Sequence, residues 1–238
     1  RHERELSLMP DEFLIPGKLV EPIISEFDSN INTKIIPSFR YEYLYDFKFK
    51  KKKDNNHNQF NILVTLPFST VTAKSMVDTL KDLSKSLISF PNINFFLRKH
   101  PGGSYDIEKL LDSRLRNLNI SEFSSINECY ECTDILITEA STTAIESIVL
   151  GIPTIIISAN IGGLPDNPIP SIICNEVYKI ANTTDELFKI IIHYSTLSTR
   201  SFNRLQALGV NYKKDFFLPV TYEGVQDMMK NIFKLDNC

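Results

Sequence analysis

Two short polar stretches carry the side chains best suited to chemistry in this sequence. The first is Ser141, Thr142 and Thr143, which directly follow an apolar run and precede a helix-forming segment. At such a junction the hydroxyl groups, the unpaired backbone N–H groups and the positive end of the helix dipole converge on one point. A phosphate group suits that combination, so we predict that these three residues bind phosphate.

The second stretch is Lys99-His100-Pro101-Gly102, which also follows an apolar run. The imidazole of His100 can donate a hydrogen bond and, when protonated, place a positive charge beside a leaving phosphate. We therefore predict His100 as the catalytic residue. Lys99, Pro101 and Gly102 are predicted as further nucleotide-binding residues of the same turn. The alternatives are a purely structural histidine and, for Ser141, the role of a helix N-cap.

Two glutamates lie close to the hydroxyl-rich turn in the sequence. Glu146 falls on the predicted helix about one turn beyond the hydroxyls, within reach of a ribose. Glu139 follows the apolar run and is expected in the same crevice. For Glu146, the alternative is a structural pairing with a lysine or arginine of the core.

Strands and helices alternate from residue 60 onward. Apolar runs predict strands at 60–66, 94–98, 119–121, 134–138, 154–158 and 171–174. Helical spacing of apolar residues predicts helices at 72–89, 107–115, 126–133, 184–194 and 222–235, with a further short helix after the hydroxyl-rich turn. The alternation predicts right-handed β-α-β crossovers, and hence an α/β fold with a Rossmann-like parallel sheet and helices on both faces.

Ligands of such a sheet bind beyond the carboxyl ends of its strands, which is where the candidate residues fall. We expect His100 and the hydroxyls beginning at Ser141 to face each other across neighbouring strand tips, leaving a gap as wide as a phosphoryl group. The stretch 159–170 is rich in glycine and proline, and we predict a functional loop there, with Asn160, Gly162 and Gly163 near the base or sugar.

The first part of the chain has a different character. A helix is predicted at 19–26 and a strand at 34–37, followed by an aromatic segment and a lysine-rich, polar connection at 48–58. We therefore assign 1–58 to an N-terminal segment and linker, and 59–238 to a nucleotide-binding domain that includes a C-terminal helix. We expect the chain to be a piece of a longer protein, with 1–58 as the remnant of, or connection to, another domain.

Composition and missing motifs exclude several functions. The net charge is -3 from 26 basic and 29 acidic residues, which provides no general attraction for nucleic acid or an anionic membrane. No apolar run approaches the roughly 20 residues of a membrane span, so we expect a cytoplasmic protein. The motif G-x-G-x-x-G of nicotinamide and flavin dinucleotide folds does not occur, and neither does the motif G-x-x-x-x-G-K-[ST] of the common ATPases and GTPases. The sequence therefore favours neither class. Cys129 and Cys132 lack a second metal-binding pair, and we interpret them as ordinary helix cysteines.

Three motifs resemble those of known enzymes. Glu146-Ser-Ile-Val-Leu-Gly151-Ile-Pro153 resembles the E-x-x-x-x-G-x-P signature in the donor domain of GT-B glycosyltransferases. Lys99-His100-Pro101, followed by Ser141-Thr142-Thr143, resembles the H-P and S-S/T motif pair of bacterial sialyltransferases and polysialyltransferases. A similar pair occurs in capsule and cell-wall polymerases. The resemblance extends over roughly 62–194.

This resemblance implies one half of a GT-B fold and the transfer of a sugar from a nucleotide-activated donor to a surface-polysaccharide acceptor. It favours a CMP-linked donor over UDP or CDP donors, with no metal and no separate cofactor. It implies that His100 and the hydroxyls contact the donor phosphate and that Glu146 holds the ribose hydroxyls.

The general base would belong to the other domain of such an enzyme, so we expect this piece to be inactive alone. Any peripheral association with a membrane would also go through that other part. Two alternatives stay open. One is a nucleotide-sugar epimerase or phosphotransferase of GT-B shape, and the other is a non-catalytic module that binds nucleotide sugars.

Overall fold

The computed structural model describes residues 10, 12–47, 59–111, 117–157, 167 and 169–234. The strands within these residues are β1 (Glu12–Ile15), β2 (Asn32–Ile35), β3 (Phe60–Thr65), β4 (Ile93–Arg98), β5 (Leu118–Ile120), β6 (Ile135–Thr138), β7 (Thr154–Ile157) and β8 (Tyr178–Ala181). The α-helices within them are α1 (Glu21–Phe27), α2 (Tyr43–Asp46), α3 (Thr70–Ser86), α4 (Ile107–Leu110), α5 (Ile126–Glu131), α6 (Thr142–Val149), α7 (Thr184–Ser195), α8 (Thr199–Asn211), α9 (Lys213–Phe216) and α10 (Tyr222–Asn231).

The larger of two compact units falls within residues 48–211 and contains a six-stranded sheet in the order β5-β4-β3-β6-β7-β8. Every neighbouring pair in it is parallel. From β3 the chain winds outward to β5, returns to β6 on the other side of β3, and winds outward again to β8. This is the order of a doubly wound nucleotide-binding fold, with its switch point between β3 and β6. The predicted Rossmann-like parallel sheet is confirmed.

The core lies on both faces of this sheet. All four residues of β6 and all four of β7 are buried, as expected of central strands in a parallel sheet covered by helices. The helix α3 buries Met76, Val77, Leu80 and Leu83, which recur at the helical spacing and form one apolar face. The alternation of strand and helix in the sequence therefore corresponds directly to the layers of this unit.

Two glycines allow α6 to end and α8 to pack where they do. Gly151 has φ +80, and its N–H donates to the Ile148 carbonyl at 2.8 Å, while Ile152 N–H donates to the Ser147 carbonyl at 2.8 Å. This pair of hydrogen bonds is a Schellman motif, which needs a left-handed residue and therefore favours glycine. A Cβ on Gly209 of α8 would lie 2.2 Å from the Ile148 carbonyl oxygen. The glycine of the G-x-P motif consequently has a structural role.

The structure differs from the sequence prediction after β7. The predicted strand at 171–174 is wrong, because Ile173 N–H donates to the Pro170 carbonyl and Val177 N–H to the Cys174 carbonyl, which closes turns instead. The last strand of the sheet is β8, and α8 is a helix that the sequence did not predict. The predicted helix at 107–115 is described only as α4, since 112–116 lie outside the described residues, as do 48–58 and the loop residues 158–166.

The smaller unit combines the described residues of 1–47 with those of 212–238. Its strands β1 and β2 form a two-stranded parallel sheet in which Glu12 pairs with Asn32 and Ile15 with Ile35. The predicted strand at 34–37 and helix at 19–26 correspond to β2 and α1, each shifted by about two residues.

The division at the C-terminal end differs from the predicted one. We assigned the C-terminal helix to the nucleotide-binding domain, but α9 and α10 belong to the smaller unit. Backbone hydrogen bonds are the physical reason: Leu218 N–H donates to the Pro16 carbonyl at 2.6 Å, and Ser38 N–H to the Leu218 carbonyl at 2.9 Å. The Tyr45 hydroxyl also donates to the Phe217 carbonyl. None of the helices in the described part of the chain is long and apolar enough to cross a membrane.

Candidate functional site

Four hydroxyl groups meet at the switch point between β3 and β6. Thr65 and Thr138 are the last residues of these strands, and Thr65 Oγ1 donates to Thr138 Oγ1 at 2.8 Å. Thr143 Oγ1 lies 3.4 Å from both of these oxygens and donates to Ser141 Oγ at 3.0 Å. We call Thr65, Thr138, Ser141 and Thr143 the hydroxyl cluster. It lies at the carboxyl edge, where ligands of doubly wound sheets bind.

Ser141 is also the N-cap of α6, as the alternative interpretation of this residue predicted. Its Oγ accepts from Thr143 N–H at 3.3 Å as well as from the Thr143 hydroxyl. Because both bonds use Ser141 Oγ as the acceptor, the hydroxyl proton of Ser141 is available to donate to a ligand. Thr142 occupies the first helical position and is exposed to solvent. Capping the helix and binding an anion are therefore compatible roles.

A second helix begins beside the same point. The helix α3 follows the end of β3 and starts after Ser69, whose side chain accepts from Thr72 N–H at 3.4 Å. Because β3 and β6 are parallel neighbours, the N-termini of α3 and α6, which follow these two strands, both lie at the carboxyl edge of the sheet. The positive ends of two helix dipoles thus add to the attraction for an anion.

His100 is exposed on the turn that follows β4. Its Nδ1 accepts from the Gly102 N–H at 3.0 Å, so the neutral imidazole carries its proton on Nε2. The ring packs edge-on against Phe68, with the ring centroids 5.7 Å apart. A Cβ at Gly102 would come within 3.2 Å of the Phe68 ring, so a glycine at this position lets the aromatic side chain lie against the turn. The imidazole therefore presents an N–H donor from a supported turn.

Tyr105 ties this turn to the end of β3. Its hydroxyl donates to the Pro67 carbonyl at 2.8 Å, and its ring lies under Lys99, whose Nζ is 5.3 Å from the ring centroid. This cation–π contact engages Lys99 within the turn, while Pro101 and Gly102 form its exposed tip. Lys99 thus stabilises the turn in this structure, and a direct contact with donor phosphate stays a prediction.

The prediction that His100 and Ser141 lie on neighbouring strand tips is wrong. Their strands β4 and β6 are separated by β3, so the two tips are about 10 Å apart, twice the spacing of adjacent strands. The physical reason is the reversal of winding at β3, which places β4 and β6 on opposite sides of β3. Both features share the carboxyl edge, and a ligand that contacts both must extend across the tip of β3.

Glu146 is buried, with 6% of its surface exposed, and its Oε2 accepts from the Tyr130 hydroxyl at 3.2 Å. The alternative interpretation proposed a lysine or arginine as the partner of Glu146, and among the described contacts a tyrosine hydroxyl is a hydrogen-bond donor to it. Glu139, directly after β6, is half-buried, and desolvation by burial raises its pKa. Glu139 thus stands at the switch point, and its ligand contacts stay a prediction, as does the ribose contact of Glu146.

Three residues of this region were not predicted from the sequence. Thr65 and Thr138 are hydroxyl residues near the ends of apolar runs. This feature is visible in the sequence, but both residues were interpreted only as parts of strands. Phe68 is 64% exposed beside His100, and an exposed aromatic residue after a strand has no distinctive sequence pattern. Asn160, Gly162 and Gly163 lie outside the described residues.

The described residues contain no group of three or more His, Cys, Asp and Glu side chains placed to hold a metal ion. Cys129 is buried and Cys132 exposed, and both are free thiols. Cys129 Sγ lies 3.3 Å from Ser121 Oγ and accepts from Arg98 Nη1 at 3.5 Å. Cys129 is thus part of the packing around α5, whereas Cys132 lies exposed at the C-terminal end of that helix.

Comparison with known proteins gives matches at the level of structure alone. No family model and no curated protein matches the sequence. The structure is similar to that of MnaA from S. aureus with UDP, with a TM-score of 0.64, 12% identity, and coverage of 98% of this chain and 62% of MnaA. It is also similar to the wall teichoic acid polymerase TagF, as an H444N variant soaked with CDPG, with a TM-score of 0.52, 17% identity, and coverage of 98% and 59%.

A third similar structure is the glycotransferase of kitacinnamycin, with a TM-score of 0.52, 11% identity, and coverage of 87% of this chain and 53% of that one. This chain therefore spans between 53% and 62% of the length of these three proteins. At identities of 11–17% the likeness concerns the fold. The chain has the Rossmann-like architecture of one half of a GT-B fold.

Proposed function

We propose that this chain is the donor-binding part of a glycosyltransferase, which moves a sugar from a nucleotide-activated donor to the glycan acceptor of a surface polysaccharide. The observation that carries the proposal is the hydroxyl cluster at the switch point, beside the N-termini of α3 and α6. Hydroxyl donors and two positive helix ends in one crevice favour the phosphate of a nucleotide.

In this proposal the donor phosphate lies on Ser141, Thr142 and Thr143. His100 donates its Nε2–H to negative charge that develops as the glycosyl bond breaks, and such a preorganised donor stabilises the transition state. Since the tips of β4 and β6 are about 10 Å apart, His100 and Ser141 approach the donor from opposite sides of the tip of β3. Lys99, Pro101 and Gly102 hold the imidazole in place. Glu139 and Glu146 complete the crevice, with Glu146 facing the ribose.

The identity of the donor is the finer part of the proposal. The motif resemblance favours a CMP-linked sugar, whereas the similar structures contain UDP in one case and CDPG in another. In all three kinds of donor the leaving group is a pyrimidine nucleotide that is joined to the transferred group through a phosphate. We propose that protein groups alone hold the phosphate, without a metal ion or an additional cofactor.

The smaller unit supports a role for a second domain. A two-stranded parallel sheet is unusual alone, because parallel sheets are normally covered on both faces. Leu14 on β1 and Ile35 on β2 are 40% and 43% exposed, so this sheet presents apolar surface. We propose that 1–58 is the remnant of, or connection to, an acceptor domain. That domain would supply the general base, and this chain alone would bind donor without transferring sugar.

Calorimetric titration with CMP, CDP and UDP tests the proposed site. We expect His100→Ala to abolish binding and Ser141→Ala to weaken it by about tenfold, the loss of one charge-assisted hydrogen bond. The matched control is Thr183→Ala, which removes the N-cap of α7, whose side chain accepts from Glu186 N–H at 3.1 Å. Both cap variants lose about 1 kcal/mol of stability, but only Ser141→Ala loses affinity. Unchanged affinity in both site variants contradicts the proposal.

The alternatives predict other products. Incubation of the full protein with a nucleotide sugar and no acceptor would yield an isomerised sugar from an epimerase. With an acceptor and a nucleoside diphosphate sugar, a phosphotransferase would transfer the sugar phosphate to the acceptor and release the nucleoside monophosphate. A non-catalytic module would return the donor unchanged even when a glycan acceptor is present. A glycosyltransferase releases the nucleotide only as the acceptor gains a sugar.

A further inference from the structure

An aromatic side chain is exposed to solvent just beyond the end of β3, which the proposed donor crosses. Phe68 is 64% exposed and lies two residues after Leu66, whose N–H donates to the Arg98 carbonyl at 2.9 Å. Single exposed apolar side chains are common, so exposure alone indicates no function. Position distinguishes Phe68, because β3 lies between β4 and β6, the strands that precede His100 and Ser141.

The backbone on both sides of Phe68 is held in place. On one side, the carbonyl of Pro67 accepts from the Tyr105 hydroxyl at 2.8 Å, and the proline ring itself fixes φ. On the other side, Ser69 is the N-cap of α3, and its side chain accepts from Thr72 N–H at 3.4 Å. A ligand that contacts the Phe68 ring therefore does not have to order this segment first.

One side of the Phe68 ring is used within the protein, and the rest is open. The ring lies nearly perpendicular to the imidazole of His100, at an interplanar angle of 89° and a centroid distance of 5.7 Å. Gly102 also lies against it, since a Cβ there would be 3.2 Å from a carbon of the ring. A perpendicular contact covers at most one face of a ring. With 64% of the residue exposed, the other face is open to a ligand.

The order of groups along the proposed donor indicates which of them meets this face. The proposed function places the phosphate on the hydroxyl cluster, and His100 acts on the bond between that phosphate and the sugar from the other side of the β3 tip. The sugar is joined to this bond, so it lies on the His100 side of the phosphate, next to Phe68. A pyranose presents a face of C–H groups, whose small positive charge complements the negative face of an aromatic ring.

We propose that Phe68 binds the transferred sugar of the donor by stacking against the C–H face of its ring. This inference rests on the proposed function, since it requires a donor phosphate at the hydroxyl cluster. Stacking favours a cyclic transferred group over an acyclic one, so Phe68 contributes to the choice of donor. The free nucleotide has no sugar at this position and gains nothing from the contact.

Calorimetric titration of matched ligand pairs measures the contact. The pairs are CMP with CMP-N-acetylneuraminic acid, UDP with UDP-glucose, and CDP with CDP-glycerol, in which the transferred group is acyclic. Phe68→Leu keeps an apolar side chain against His100 and removes the aromatic ring. It should weaken binding of the sugar nucleotide that the wild-type chain binds by about three- to tenfold. Binding of the free nucleotides and of CDP-glycerol should stay unchanged.

Two further variants control for the nature and the place of the substitution. Phe68→Tyr keeps the aromatic face and should restore the affinity for sugar nucleotides that Phe68→Leu loses. Val71→Ala truncates another apolar side chain, which is 66% exposed in the first turn of α3 and lines a surface groove with Asp78 and Thr184. We expect Val71→Ala to change neither the affinity for free nucleotides nor that for sugar nucleotides.

Loss of support for His100 would give a different result from loss of a sugar contact. Because we expect His100→Ala to abolish nucleotide binding, a displaced imidazole would weaken free nucleotides and sugar nucleotides together. A direct contact of Phe68 with the sugar weakens the sugar nucleotides alone. The ratio of the two affinities in each pair therefore separates the direct role of Phe68 from a role through His100.

The outcomes also separate this inference from the proposed function. Failure of the wild-type chain to bind any of these ligands overturns both. Equal weakening of every ligand in Phe68→Leu, or weakening of none, overturns the sugar contact and leaves the donor site standing. The same holds if CDP-glycerol is weakened as much as the sugar nucleotides, or if the wild-type chain binds nucleotides but no sugar nucleotide.

Discussion

The individual hydroxyls of the switch point differ in what they can offer a ligand. Thr138 is buried and its oxygen accepts from Thr65, so it acts as the inner support of the cluster. Ser141 accepts two hydrogen bonds from Thr143 and keeps its own proton for an anion. Thr65 lies between these roles, half-buried at the end of β3. We therefore expect affinity to depend on Ser141 first and on Thr65 through the support it gives.

Thr65→Val tests this order, because valine keeps the shape of threonine and removes the hydroxyl. Nucleotide affinity measured by calorimetry should fall by about three- to tenfold, the loss of one hydrogen bond in the cluster. The control is Thr154→Val, at the opposite end of a central strand, where the hydroxyl is buried 2.5 Å from Ser147 Oγ. That variant should lose about 1 kcal/mol of stability and no affinity. Equal affinity in wild type and Thr65→Val would show that this threonine is only structural.

Glu139 predicts a dependence of stability on pH. Burial raises the pKa of its carboxyl above the ordinary value of 4.5, so the folded protein binds this proton more tightly than the unfolded chain. The free energy of unfolding therefore falls as pH rises from about 4.5 through the raised value. Glu139→Gln removes this penalty. Urea unfolding should show the variant to be more stable than wild type near pH 7, with the difference disappearing as the pH is lowered to about 4.

Glu128→Gln is the control of opposite sign. Hydrogen bonds from the Ser124 side chain and backbone hold the pKa of the Glu128 carboxyl below its usual value. That stabilisation is present above the usual pKa and is lost as pH falls through the lowered one, so Glu128→Gln should be less stable near pH 7. The same sign for both variants would contradict the assignment of burial as the cause at Glu139.

At the scale of elements, the contact between α6 and α8 fixes the helix that carries Ser141 and Glu146. Glycines at 151 and 209 allow the close approach, since a side chain at either would meet backbone atoms. The helix that carries Ser141 and Glu146 is therefore positioned by α8, which contains none of the candidate site residues.

Gly209→Ala measures that contact. Helix propensity alone favours alanine over glycine by about 1 kcal/mol, but the new Cβ would lie 2.2 Å from the Ile148 carbonyl oxygen. Overpacking of this kind costs about 1–3 kcal/mol, so we expect a net loss in urea unfolding. Ala207→Gly, at an exposed position of the same helix, reports the propensity alone and should cost about 1 kcal/mol. An increase in stability on Gly209→Ala would show that the helices do not touch.

Elements with a regular apolar pattern were predictable from the sequence, and irregular ones were not. The strands β3, β4, β6 and β7 and the helices α3 and α7 follow from their spacing of apolar residues. The helix α8 also has this spacing, with Phe202, Leu205 and Gly209 buried on one face. Its glycine and its many polar residues weaken the apolar pattern, so the helix was not predicted. Ile172 and Ile173 suggested a strand, yet Ile172 is 67% exposed in a turn.

The placement of His100 and Ser141 at the carboxyl edge of the sheet was predictable from the sequence, but the distance between them was not. His100 and Ser141 fall at the carboxyl edge because each follows a parallel strand, and that much is local information. Their separation depends on which strands are neighbours, which is decided by the reversal of winding at β3. Pairing across 73 positions, as between Thr65 and Thr138, leaves no trace in a single sequence.

At the scale of the whole molecule, the chain combines a six-stranded, doubly wound parallel sheet with a small unit that contains residues from near both ends of the sequence. We therefore expect this chain to bind nucleotide without transferring sugar. A radiolabelled nucleotide sugar incubated with this chain and a glycan acceptor should yield no labelled glycan, whereas calorimetry should detect the nucleotide. Transfer by this chain would contradict the proposal that another domain supplies the general base.

A crystal of this chain soaked with CMP, and a second soaked with UDP, would show whether the hydroxyl cluster holds a phosphate. We expect a phosphate within hydrogen-bond distance of Ser141 Oγ, at the N-terminus of α6, with the ribose directed toward Glu146. A nucleotide bound elsewhere, or a hydroxyl cluster still empty at saturating nucleotide, would contradict this expectation.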